Sequence, residues 1–567
     1  MSLHESRSAE TTDSNVVAVP ESHLASDVEP MEKKADEPSS EETISPAETH
    51  YPTGWRLHLS TISLSVLIFL VQMESSIAST TLLKITDQFG GYEKSSWVFT
   101  AYMLTYCGFQ MIWAKWSDIA GRRLTLLVCV VIFTISSALC GASQSLIQLI
   151  QFRWIQGIGG CGIFAMGQIY LFELYPPHLW PFYMTIFTAV IAFSLIAGPL
   201  LGGGITESGS WRWIFLLNVP AGVLLIPAIY LIFPRKSGNQ VSIESSNRAL
   251  FSSASLRKVD ILGSVTLLGA SILLSTGFQE ASIVSSWKSA VVLSLIICSI
   301  PFIAVFLAWE WFVTTRREFP EPVFPWRFFQ SRVRIGMIIN TFLVGSVTYV
   351  CSVQIPQKFM TVHGLSPFDA AIKLLSFGVL ISGGSSVAAA LMGKLRIPPC
   401  WMILFGAVMQ VIGLVLLSRV KDTARIEPAQ YAYHVLAGLG VGFINAAITL
   451  LVPYIMEKRD LATGTAAISQ FRMLGGLMGL SIAVSLSTPQ IRSQLLGVLP
   501  AADVSQLLER TETINTIDGV LLETVKGIFA EGYSLQIKML VGFAVAQVPT
   551  TLLMWTNQAA EPGTGHS

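Results

Sequence analysis

Glu74, Arg153, Lys373, His434 and Arg472 are ionisable side chains inside otherwise apolar stretches of this 567-residue sequence. A charge in hydrocarbon costs roughly 2.5 kcal/mol or more unless it faces water or a partner, so each is a functional candidate by default. Glu74, in "LVQMESSIASTTLLKITDQFG", falls in the outer third of its stretch. A carboxylate there suits a proton carrier; the competing reading is a hydrated group at the outer mouth. Arg153 opens "RWIQGIGGCG", and Gln156, Gly157, Gly160, Phe164 and Gln168 share its helical face by 3–4 spacing. Lys373 is expected to snorkel, and His434 to sit in a packed or hydrated helix face.

A second cluster is "AKWSDIAGRR", Ala114 to Arg123. Gly121 permits a tight turn that sets Asp118 against Arg122 and Arg123. Opposite charges there can pair across helix ends, and the acid can also hold a helix N-terminus. In "IAGPLLGGGITES", Gly198 and Gly202 let a neighbouring helix approach, Pro199 frees a carbonyl and bends the axis, and Gly203 follows. Gly157 to Gly162 spells G-x-G-x-x-G, but it follows no strand and lies in a lipid-length apolar run, so no dinucleotide site is implied. The single Gly-Lys pair, Gly393-Lys394, lacks the rest of a Walker A loop, which disfavours ATP as the energy source and leaves an ion gradient. No HExxH, histidine box or G-x-S-x-G appears, so the chain is not expected to be an enzyme or to hold a cofactor or metal. The seven cysteines form no CxxC pair.

The elements that must hold these residues follow from composition. The chain is 52% hydrophobic and 13% charged, with mean hydropathy +0.58; soluble domains carry about 25% charged residues. Its 36 basic and 36 acidic residues balance, so no nucleic-acid partner is indicated. Residues 1–50 hold 12 acidic and 3 basic residues, an acidic tail on a basic, apolar body. Fourteen apolar windows of about 20 residues follow, each long enough to cross hydrocarbon as a helix. They are 57–83, 95–116, 124–143, 146–172, 180–205, 213–233, 260–280, 289–312, 335–356, 366–392, 398–418, 431–456, 463–487 and 533–556.

The expected organisation is an all-α membrane protein in five parts. A disordered acidic cytosolic tail (1–56) precedes a six-helix half (57–233) and a linker with two extra spans (234–334). A second six-helix half (335–556) and a short cytosolic tail (557–567) follow. The outer loop 488–532 is mildly amphipathic and could lie on the membrane or cap the mouth. Lys and Arg are more abundant in the inner loops, which with an even span count puts both termini in the cytosol. "QGIGGCGIFAMGQIYLFELYP" echoes "AGLGVGFINAAITLLVPYI", and duplicated halves point to a secondary transporter with its site between them.

With these motifs in place, the sequence resembles the major facilitator superfamily. The Asp118–Arg123 turn is similar to that family's G-x-L-x-D-x-x-G-R-R/K loop, with Ala114 for the leading Gly. Arg153, Gln156, Gly157 and Gly159 match its R-x-x-Q-G-x-G segment. Gly198-Pro199 with Gly202-Gly203 match the G-P-x-x-G-G of antiporters, and "WRWIFLLNVPAG" from Trp211 looks like the fourteen-span drug:proton branch. The resemblance implies a fungal-type efflux pump that exchanges protons for an amphiphilic small molecule. It implies a monomer in the plasma membrane, with the vacuolar membrane as the alternative. Glu74, Arg153 and Arg472 would serve proton coupling; Asp118, Gly121, Arg122 and Arg123 would form a conformational latch; and Gln156, Gly157, Phe164 and Gln168 would face the central cavity. Glu74 and Arg153 lie at similar depth on oppositely directed helices, so they are expected to act as one system, whether by direct contact or through shared water. Rivals are an importer of the same fold, such as a siderophore or amino-acid carrier, and a membrane sensor whose cytosolic tail signals.

Overall fold

The computed structural model describes residues 54–89, 96–208, 210–233, 260–283, 287–317, 322–420, 426–457, 460–501 and 519–555, with a few single positions between. The acidic tail, segment 234–259 and the end of the chain lie outside these residues. The first half comprises α1 (Trp55–Phe89), α2 (Ser96–Gly108), α3 (Gln110–Ala120), α4 (Arg122–Ala142), α5 (Leu146–Glu173), α6 (Trp180–Ser208), α7 (Arg212–Leu216) and α8 (Asn218–Ile232). Then come α9 (Ile261–Ile283) and α10 (Ala290–Arg316). The second half holds α11 (Arg332–Thr361), α12 (Pro367–Lys394), α13 (Pro399–Ser418), α14 (Ala429–Ile455), α15 (Leu461–Leu496) and α16 (Val520–Leu553).

These segments form helices because an apolar solvent leaves the backbone no other partner. Their Ser and Thr hydroxyls turn back onto carbonyls four residues earlier, as Thr134 does to Val130 and Thr341 to Met337, both at 2.7 Å. Ser145 and Ser366 cap α5 and α12 by accepting the amides of Gln148 and Asp369.

Twelve helices among the described residues are long and apolar enough to cross a membrane. Two expected spans fall outside that count. The window 95–116 is not one helix: it is interrupted at Phe109, just after Gly108, whose missing Cβ would stand 2.7 Å from Leu268 of α9. The window 180–205 corresponds to α6, a 29-residue helix with some undescribed side chains. The sixth span is also divided, at Leu217, three residues before Pro220, which has no amide hydrogen to continue the ladder.

Helix neighbours repeat between the halves. α1 packs on α6 as α11 packs on α15, α2 on α5 as α12 on α14, and α4 on α5 as α13 on α14. The two echoing segments fall in α5 and α14, which are the most enclosed spans, with 89% and 83% of their windows buried; α10, at 17%, is peripheral. The halves meet where α6 packs on α12 and where α2 and α3 pack on α15. The extra helix α9 packs on α2 and α15, so it borders both halves.

Both described ends of the expected loop 488–532 are helical, while 508–518 lie outside the described residues. α15 continues to Leu496 and α16 begins at Val520. Ile491, Leu495, Val504, Leu507, Val525 and Phe529 close over Val362 as a separate small core. The described parts of the segment thus pack together at the end of α11.

Candidate functional site

Glu74 and Arg153 meet directly. Arg153 Nη1 lies 2.5 Å from Glu74 Oε1, and both side chains are fully buried. Arg153 also donates from Nε to the Val98 carbonyl (2.9 Å) and from Nη1 to Gln156 Oε1 (2.9 Å). The other oxygen of Glu74 accepts from Asn218 Nδ2 at 2.7 Å. Gln156 Nε2 donates to Ser137 Oγ at 2.8 Å, closing the network onto α4. The guanidinium carbon sits 4.4 Å from the centre of the Tyr102 ring and 5.6 Å from that of Phe215. Through hydrogen bonds, five elements, α1, α2, α4, α5 and α8, thus converge on one ion pair. Removing one partner of such a pair costs more than removing both, because it leaves a charge buried without compensation. Glu74 is thus fully buried and paired here, unlike a carboxylate hydrated at a mouth.

Sequence reasoning missed Asn218 and Ser137. Asn218 stood inside "WRWIFLLNVPAG", where the break between α7 and α8 turns its amide toward α1. An Asn one residue before Val-Pro in an apolar run was the available signal.

A cavity lies between the halves, enclosing about 980 Å³ with its open side. Phe164, Phe187 and Phe377 give it aromatic walls, and Gln72, Gln110 and Arg472 are among its polar lining. Of the four residues expected to face it, only Phe164 does so among the described lining. Gln156 is tied into the ion-pair network. Gly157 faces α2, where an added Cβ would stand 2.4 Å from the Tyr102 carbonyl. Gln168 is buried and accepts from Ser469 Oγ across the interface between halves. These residues do share α5 by 3–4 spacing, but neighbours cover most of that helix, so a shared face did not say which neighbour it meets. Arg472 lines the cavity, apart from the Glu74 network, with Nη2 3.4 Å from Thr449 Oγ1. Lys373 stands 5.3 Å from the Tyr431 ring centre, and His434 is buried with Nδ1 3.1 Å from Ser376 Oγ.

The halves touch along a seam beside the cavity. The Met111 amide donates to Gln470 Oε1 (3.3 Å), the Cys107 thiol points at the Gln470 carbonyl (3.9 Å), and Ser382 Oγ donates to the Thr188 carbonyl (2.9 Å). Further out, Trp180 meets Tyr454 edge-on at 6.3 Å, and Gly393 packs on Pro181. These outer contacts sit at the start of α6 and the ends of α12 and α14, close in the chain to Glu173, where α5 ends.

Glu173 also anchors the Asp118 turn. Arg122 reaches Asp118 Oδ1 at 2.6 Å and Glu173 Oε1 at 3.0 Å, and its Nη1 contacts Ser117 Oγ. Gly121 holds φ +91°, a conformation that other residues rarely adopt. Arg123 turns away, its Nη2 donating to the Tyr230 carbonyl. The turn therefore ties α3, α4 and α5 of one half together, and α3 carries the Met111 contact to the other. Glu173 was not anticipated, although a lone acid closing an apolar run was visible. The antiporter-like residues Gly198, Pro199, Gly202 and Gly203 lie in α6. Gly198 and Gly202 are buried, while the side-chain surroundings of Pro199 and Gly203 lie outside the described residues.

Asp118→Asn keeps the shape and removes one of the two carboxylates on Arg122. A charge-assisted hydrogen bond is worth about 1.5–3 kcal/mol. The variant is expected at normal abundance, with transport lowered roughly tenfold or more. Membrane quantification beside a transport assay checks this; full activity would leave the motif as a topology signal alone.

Comparison with known proteins agrees with this geometry. A family model described as Major Facilitator Superfamily matches residues 64–480. The chain is 33% identical to the MFS-type transporter FPY5 of Fusarium mangiferae over 90% of this chain and 85% of that one. It is 29% identical to Multidrug resistance protein 3 of Bacillus subtilis (strain 168), over 76% of this chain and 79% of that one. Its fold is similar to that of a bacterial homologue of the human lysosomal transporter Spinster, solved inward-facing, with TM-score 0.54 and 14% identity over 89% of this chain and all of that one. With two helical halves that repeat their packing pattern, a cavity between them, and that family model matched over most of its length, the chain belongs to the Major Facilitator Superfamily, a family of multi-pass membrane transporters.

Proposed function

We propose that this chain is a proton-driven exporter of a small amphiphilic molecule, a toxin, drug or secondary metabolite, across the plasma membrane. The observation that carries the reading is the sealed Glu74–Arg153 pair, which draws five elements of one half together near the cavity between halves. Protonating Glu74 cancels its charge and releases Arg153 to Gln156 and the Val98 carbonyl. It also weakens the hold on Asn218 at the start of α8. A single proton thus changes how α1, α5 and α8 fit together, and those helices must shift if the halves rock. Aromatic walls in the cavity suit an amphiphile. The name of the Bacillus relative, Multidrug resistance protein 3, agrees with export.

In this reading α6 and the α2–α3 pair also cross the membrane, which gives fourteen spans, and both termini and the Asp118 turn face the cytosol. The closed seam then lies on the cytosolic side, and the cavity belongs to an outward-facing state. The protein acts as a monomer, since each chain holds the whole cavity.

Inside-out vesicles containing the full chain test the proposal. An acid interior should drive a lipophilic test compound inward, and a protonophore should abolish that accumulation. Accumulation that ignores the gradient, or that runs with an alkaline interior, would overturn it, and the second result would favour an importer.

A further inference from the structure

The cavity lining is asymmetric in charge. Arg472 is the single charged residue among the residues described as lining it, and no carboxylate joins it there. Its Nε has no hydrogen-bond partner, and the bond from its Nη2 to Thr449 Oγ1 is long at 3.4 Å. Gln110, fully buried on the same lining, leaves both its amide nitrogen and its amide oxygen without a partner. Asn445 Oδ1, also at the cavity, is likewise unpartnered. Buried polar atoms are nearly always satisfied in a resting protein, so a concentration of orphans at one cavity marks where something else binds. A guanidinium is the strongest of these groups, and it takes oxyanions through two parallel donors.

Resting on the export reading above, we propose that the transported molecule is an amphiphilic organic anion, an aromatic carboxylate or a stabilised enolate, whose charge is taken by Arg472 and Gln110. The Gln110 amide nitrogen donates to the anion beside the guanidinium. Phe164, Phe187 and Phe377, contributed by both halves, receive its apolar body. A cationic amphiphile meets Arg472 with no acid to offset the repulsion. A neutral one leaves the guanidinium uncompensated in a cavity of mostly apolar walls. Arg472 thus recognises the substrate, while the proton is handled at Glu74.

The test is equilibrium binding to the purified full chain in nanodiscs, with no gradient imposed. Three probes share one aromatic body: pyrenebutyrate, its methyl ester, and pyrenebutyl-trimethylammonium. The anion should bind at least tenfold more tightly than the other two. Arg472→Gln should erase that preference while the ester binds as before, which also shows that the variant is folded. Gln110→Leu should weaken the anion several-fold and leave the ester unchanged. Equal binding of all three probes, preference for the cation, or an Arg472→Gln variant that still prefers the anion would overturn the proposal. The two readings fail separately. Selective anion binding without gradient-driven transport sinks the export reading, and gradient-driven transport without anion selectivity sinks this one.

Discussion

Glu74→Gln should abolish gradient-driven transport and leave substrate binding in place, whereas Arg153→Met should destabilise the protein itself. The difference follows from what each change leaves behind. In Glu74→Gln the amide still accepts from Asn218, and Arg153 keeps its bonds to the Val98 carbonyl and Gln156. The carrier of the proton is gone, but the packing of five helices around it is not. In Arg153→Met the Glu74 carboxylate stays at zero exposure, held by neutral amides such as Asn218 and with no positive charge against it. Breaking a buried pair from one side costs about 3–5 kcal/mol, enough to lower the yield of folded protein severely. The double variant should regain most of that stability, because both charges are then absent, but no transport. Thermal unfolding in detergent and uptake into inside-out vesicles read the two effects separately. Additive losses of stability, or gradient-driven uptake by Glu74→Gln, would show that the pair is not a unit.

The second large effect concerns the crossing of α11 and α15. An added Cβ on Gly475 would stand 2.0 Å from the Phe342 carbonyl, and one on Gly345 would stand 2.1 Å from the Arg472 carbonyl. The two backbones touch, with Ser346 Oγ donating to the Gly475 carbonyl at 2.8 Å. Small residues at a crossing are what membrane helices use for close approach. Gly475→Leu therefore cannot be absorbed by turning a side chain. Overpacking of this kind costs about 1–3 kcal/mol where side chains can give way, and here backbone must move, so loss of folded protein is expected. Gly542→Ala in α16 is the control, since nothing lies within 4 Å of its added Cβ. It should be neutral or stabilising by up to about 1 kcal/mol. Comparable unfolding temperatures for the two variants would refute the argument.

The helices themselves were legible, because twenty apolar residues admit one solution in lipid. The meeting of Glu74 and Arg153 was also close to legible, since helix direction and rise set both at one depth. Azimuth was not. A face that repeats every 3–4 residues on a helix with neighbours round most of it does not name which one it meets, and so Gln156 and Gly157 were assigned to the cavity when they contact α4 and α2. Asn218 and Glu173 escaped because each acts at a helix end, where a break or a turn decides direction and periodicity gives no guidance. The continuation of α15 to Leu496 and the start of α16 at Val520 were hidden too, because Ile491, Leu495, Val525 and Phe529 cohere only when two distant segments meet.

The seam contact at Cys107 has an experimental use. Cys107, Cys129, Cys140, Cys161 and Cys351 are buried, Cys400 is partly covered, and Cys298 is exposed on the peripheral helix α10. Among the buried thiols, Cys107 reaches across the interface between halves, to the Gln470 carbonyl. When α2 and α3 part from α15, that thiol loses its cover. The unmodified chain thus carries its own chemical clock: the rate at which a water-soluble maleimide reacts at Cys107 reports how often the halves separate on that side, without any engineered label.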